Sequence, residues 1–215
     1  MLNSNFFLLV LIITTCIASY SALNNQQFFD RYKFSIGSIL KLKQYDRLLS
    51  SSFLHADITH LFFNMYTLYI FAPIVISHFN VSIFLLIYFL SVLGGNLLTL
   101  YFHKKETYYS AIGASGGVVG VVFAAIAIYP TIELLVFFVI PLSGWLFGIL
   151  YLFFSIYGMR TQMGNIGHGA HFGGAAIGLL TAILLNIELF YQNQLYITIL
   201  FVPIVYLAFK MFQEK

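Results

Sequence analysis

Residues 113–130 read GASGGVVGVVFAAIAIYP. A serine opens an apolar run that holds no further polar side chain before Tyr129. Pro130 stops it, because a proline lacks the amide a helix would need there and its ring clashes with the preceding turn. As a helix, the roughly 15 residues from Ser115 to Tyr129 measure ~22 Å, against ~30 Å of hydrocarbon in a bilayer. If the far end reaches the opposite interface, Ser115 lies several ångströms below the near one. A serine so placed needs a cavity open to water.

The rest of the chain suits the same surroundings. Of its 215 residues 60% are apolar and only 8% charged, and the mean hydropathy is +0.91. This composition defines a polytopic membrane protein. Apolar stretches fall at about 5–23, 58–78, 81–101, 115–129, 132–157, 168–187 and 195–212. They predict an all-α membrane bundle. A β-barrel would show alternating strands of ~10 residues, and open strands leave backbone groups unsatisfied in lipid. The first stretch has no Lys or Arg ahead of Phe6 and outruns a signal-peptide core, so it reads as a membrane helix. Cys16, inside it, reads as a packing residue. The one long connection, 24–57, carries Arg31, Lys33, Lys41, Lys43 and Arg47 beside apolar residues and reads as a structured interfacial loop. Without linkers or repeats, 1–215 reads as a single domain. A net charge of +3 spread over loops suits anionic lipid headgroups and gives no nucleic-acid partner.

Polar side chains at membrane depth are penalised and therefore informative. His60 and Asn64, four apart, share one face of the second stretch, with His55 in the turn before it. His168 and His171 open the sixth stretch. Alternating crossings bring the starts of stretches 2, 4 and 6 to one side, so His60, Asn64, Ser115, His168 and His171 can meet. A serine becomes a nucleophile when an imidazole within hydrogen-bond reach takes its proton. Helices packed at the usual 8–10 Å would hold so short a side chain too far away. Small residues on both partners allow closer approach: Gly113, Gly116, Gly117 and Gly120 around Ser115, and Ala170, Gly174 and Gly178 around His171. Helix-start amides, His60 and Asn64 can supply oxyanion donors. No carboxylate falls where it could orient the histidine, so a dyad is expected and no cofactor is needed.

His55-x4-His60-x3-Asn64, Gly113-Ala114-Ser115-Gly116 and Ala170-His171-x2-Gly174 resemble, in order, the three signatures of rhomboid intramembrane serine proteases. Tyr45-Asp46-Arg47-Leu48 through Phe53-Leu54-His55-Ala56 resembles the end of that family's first loop, so the likeness covers roughly residues 45–180. It implies six core transmembrane helices with a seventh as a known variation, which here would be 195–212, interrupted by Pro203. It implies Ser115 as nucleophile, His171 as base and then acid, and His60 and Asn64 with the Ser115 amide as oxyanion donors. His55, Gly113 and His168 take supporting positions. Val119 departs from the family, which commonly places an aromatic ring there against the histidine. Transmembrane segments of client proteins are the implied substrates, and an integral, multi-pass protein of a bacterial plasma membrane is the implied setting. The fifth stretch, with Pro141, Gly144 and Gly148 beside Trp145, reads as a gate for lateral entry.

Competing readings stand beside these. Ser115 could serve only helix packing, His60 and Asn64 only a polar contact between helices, and His55 and His168 either line the cavity or support the site. Four histidines at one level could ligate haem or a metal, although no His-Glu-x-x-His motif is present. A member of the family that binds clients without cutting them is the third possibility. The glycine faces do not distinguish packing within the bundle from packing between chains. All 10 Lys and Arg, including Lys104, Lys105, Arg160, Lys210 and Lys215, fall on the side of the serine. The positive-inside rule turns that side to the cytoplasm, whereas the resemblance turns it outward.

Overall fold

The computed structural model describes residues 4–136, 139–161, 163 and 166–213. Helix α1 (Ser4–Asn24) leads into a chain of short elements: α2 (Gln26–Tyr32), β1 (Phe34–Ser35), α3 (Ile36–Leu42), α4 (Arg47–Ser50) and a 3₁₀ turn at Ser51–Phe53. Next come α5 (Ile58–His78), α6 (Val81–His103), β2 (Ser110–Ala111) and α7 (Ser115–Ile128). After the hairpin strands β3 (Glu133–Val136) and β4 (Ile140–Ser143) follow α8 (Gly144–Thr161), α9 (His168–Leu185), α10 (Glu188–Gln192) and α11 (Gln194–Gln213). Among the described residues five helices are long and apolar enough to cross a membrane, namely α1, α5, α6, α9 and α11. The fold is a helical, polytopic bundle.

The central position belongs to α7. Every residue from Gly120 to Ile128 is buried, which explains why its sequence is apolar on all sides. It has 14 residues and so spans about 21 Å. Its neighbours α5, α6 and α9 pack directly on it. The seam with α9 is unusually close: a Cβ on Gly174 would meet the Gly116 carbonyl oxygen, and one on Gly178 the Gly120 carbonyl oxygen. Bare backbone on both sides lets these two helices touch.

The connection 24–57 is built of short helices, a strand and a 3₁₀ turn. Its organiser is Arg47, only 5% exposed, whose Nη1 donates to the carbonyls of Asp30 (2.8 Å) and Lys33 (2.7 Å) while Nε donates to Gln44 Oε1 (2.7 Å). A buried guanidinium is tolerable because these acceptors replace its water. The strand β1 pairs antiparallel with β2, Phe34 opposite Ala111 and Ser35 opposite Ser110. This pairing ties the loop to the segment that enters α7.

The expected fifth helix is shorter than the apolar stretch 132–157. Its first part is the hairpin, with Leu134 opposite Leu142 and Leu135 opposite Pro141, and α8 begins only at Gly144. Residues 137 and 138 of that stretch lie outside the description. Pro141 cannot donate the amide that a helix through this point requires, and a strand tolerates it. By contrast α11 continues through Pro203, a common accommodation in apolar helices. The remaining helices agree with the sequence to within a few residues, α5 at both ends.

Candidate active site

Three segments converge at the start of α7. Gly113 donates its amide to Ser51 O (3.0 Å) and has φ +127°, a conformation open to glycine and strained for other residues. The next residue, Ala114, donates its amide to His55 Nε2 (3.3 Å). Ser115 is the first residue of α7, where helix amides have no intrahelical partner.

His171, one turn into α9, places Nε2 2.7 Å from Ser115 Oγ. With the hydroxyl donating, the imidazole proton sits on Nδ1. Among the described residues this is the only hydrogen bond of the His171 side chain. Its ring lies against Tyr151 of α8, centroids 6.1 Å apart and planes inclined by 25°. Among the described residues no carboxylate pairs with it: Asp57 caps α5 by accepting the His60 amide (2.7 Å), and Glu133 starts β3.

His60 stands across from Ser115. The point that a Gly113 Cβ would occupy lies 3.1 Å from His60 Nε2 and 3.6 Å from Ser115 Oγ, so the missing side chain leaves a small space bounded by both. Asn64 is one turn deeper and buried, with one Nδ2 hydrogen given to the His60 carbonyl (3.1 Å) and the second available.

His55 and His168 turn away from that space. His55 is fully buried in the loop before α5, edge-on to the His60 ring at 4.8 Å. Its Nδ1–H donates to Ser19 Oγ of α1 (2.9 Å), which donates in turn to Phe53 O (2.8 Å), leaving Nε2 as acceptor for Ala114. His55 thus supports the serine loop from behind. His168 sits on the α8 side of α9, its Nε2 3.1 Å from Met163 O, its ring edge-on to Phe154 (5.4 Å) and packed on Gly158. Shared sequence spacing with His171 therefore does not bring it to the serine. Among the described residues no three His, Cys, Asp or Glu side chains group as a metal site would.

Two contributors escaped the sequence. Ser19 is a polar residue in the first apolar stretch, a signal the other stretches were read for. Tyr151 follows Phe147 by one helical turn, and the two rings stack at 5.4 Å, but an aromatic pair at that spacing reads as packing.

Burial, with the neighbouring His60 as a lesser cause, pushes His55 down from 6.5 to about 3. Between these values the unfolded chain binds a proton that the folded chain refuses. Stability is therefore full above pH 6.5 and declines as the pH falls toward 3, by about 2 kcal/mol at pH 5 for this group. The melting temperature in micelles is expected to drop over that window, and His55→Asn to flatten the drop; an unchanged slope in the variant contradicts the assignment.

A mostly apolar groove of about 740 Å³ runs between α5 and the hairpin with α8, bordered by Phe63, Tyr66 and Ile70 of α5, Leu135 of β3 and Phe147 of α8, with Val122 of α7 at its side.

The fold is that of a helical, polytopic membrane protein. A profile of the Rhomboid domain matches residues 42–188, and the chain belongs to the rhomboid family. It is 28% identical over 172 residues to RHOMBOID-like protein 12, mitochondrial, of Arabidopsis thaliana, covering 73% of this chain and 51% of that protein. It is 27% identical over 137 residues to Rhomboid protein 1, mitochondrial, of Saccharomyces cerevisiae, covering 62% and 40%. The chain thus spans about half the length, or less, of these curated relatives. Both are named as mitochondrial, so the expected bacterial plasma membrane finds no support in them; an integral, multi-pass membrane protein does follow.

Proposed function

We propose that the protein is an intramembrane serine endopeptidase that hydrolyses peptide bonds in or near transmembrane segments of client proteins. The observation that carries this is the 2.7 Å contact of His171 Nε2 with Ser115 Oγ at the start of a short, central helix. Ser115 Oγ attacks the carbonyl carbon as its proton passes to His171 Nε2. The oxyanion settles in the space left by Gly113, facing the Ser115 amide, His60 and Asn64. His171 then gives the proton to the departing amine, and an acyl-serine remains. Water, deprotonated by the same imidazole, releases the acid and restores the serine.

A helical amide is protected by its own hydrogen bond, so the client must unwind before it reaches Ser115. The groove between α5 and α8 supports lateral entry of such a segment. A bifunctional cross-link between Phe63→Cys and Phe147→Cys, after Cys16→Ser, is expected to abolish cleavage of a membrane-spanning client; undiminished cleavage eliminates this route. The proposal as a whole is tested by reconstituting the protein in lipid vesicles with a model transmembrane substrate and comparing wild type with Ser115→Ala. Products that appear equally with both would refute it, and client capture without cleavage by the wild type would establish a binding protein instead.

A further inference from the structure

We propose that Tyr151 is the positioning residue of the histidine base. The inference rests on the peptidase reading of the Ser115–His171 pair. An imidazole with a single hydrogen bond can turn about that bond and about its own side-chain torsion. With no carboxylate among the described residues to orient it, a ring packed on its face fixes the imidazole plane. Tyr151 is the aromatic ring that lies face-on to His171, 6.1 Å away and 25° from parallel, an offset stack of the kind aromatic rings prefer.

Tyr151 is itself fixed. Phe147 stacks on it from one turn below at 5.4 Å and 29°, and Phe123 of α7 leans on it at 6.1 Å and 53°. Phe123 is fully buried, and bare Gly148 lets α8 approach it, since a Cβ there would already stand 3.4 Å from Phe123 Cε1. A column therefore runs from Phe147 through Tyr151 to His171, braced by the helix that carries the serine. Val119, one turn below Ser115 on α7, has only an aliphatic side chain and cannot supply such a face. The face that holds the base is therefore supplied by α8.

The test uses the full chain in lipid vesicles. Tyr151→Ala is expected to lower kcat about tenfold with KM changed by less than about threefold, because the loss falls on the oriented base and not on client binding. Tyr151→Phe keeps the ring and should restore the rate, and Val119→Tyr added to Tyr151→Ala should recover part of it. A wild-type kcat in Tyr151→Ala overturns the proposal, as does a Tyr151→Phe variant no better than alanine. If Tyr151→Ala unfolds, Tyr151→Leu fills the space without a stacking face and takes its place. The stack is also read without turnover: the His171 ring-proton resonances, identified by their loss in His171→Ala, should move in Tyr151→Ala. Unmoved resonances overturn the proposal. If Tyr151→Ala shows the shift but the wild type never cleaves, the stack stands and the peptidase reading alone falls.

Discussion

Ser115→Ala and His171→Ala, made singly and together, are expected to lower cleavage of a transmembrane substrate to one common floor, about 10⁴-fold or more below wild type. The common floor follows from the geometry. Ser115 Oγ and His171 Nε2 share one proton across 2.7 Å, so each is useless without the other and the second substitution removes nothing further. The measurement is product formation in vesicles under single-turnover conditions. Two single variants with different residual rates, or a double variant far below either, would mean that the pair does not act as a unit.

The second large effect lies at the α7–α9 seam. Gly174→Ala places a methyl group on the Gly116 carbonyl, and backbone cannot swing aside as a side chain could. The two helices that carry nucleophile and base must then separate. A displacement of ~1 Å costs on the order of 10²-fold in rate, so Gly174→Ala is expected to lose at least that much and to melt earlier. Gly167→Ala is the control: among the described residues its Cβ would meet only the Ala170 Cβ, at an ordinary 3.7 Å. Equal behaviour of the two variants would contradict the close seam. Cleavage rates and melting curves in the same detergent decide it.

Much of this arrangement was legible in the amino-acid order. The serine, the histidine and His60 stood out because a polar group in lipid demands a reason, and glycines spaced by four beside both partners supplied the means of contact. Asp57, whose carboxylate accepts the His60 amide at the start of α5, is a cap that the sequence reading did not single out. The hairpin was illegible because Leu, Val and Ile next to a membrane helix read as more of the same helix; Pro141, read as interrupting that helix within a gate, lies in a strand. Tyr151 was hidden for another reason. In a chain with 24 Phe and 15 Tyr, a single ring is distinguished only by what it faces. His168 misled in the opposite sense, since three residues along a helix rotate a side chain far enough to meet a different neighbour.

One helix, α8, both borders the slot offered to clients and carries the ring that steadies the imidazole. On the proposed chemistry these duties are not separable. A bulky, fully coiled client would wedge α8 outward and leave the base adrift just when it is wanted, while a thin unravelled strand would slip past and find the apparatus intact. Choice among clients would then be exercised through turnover, with tight association no guarantee of being cut.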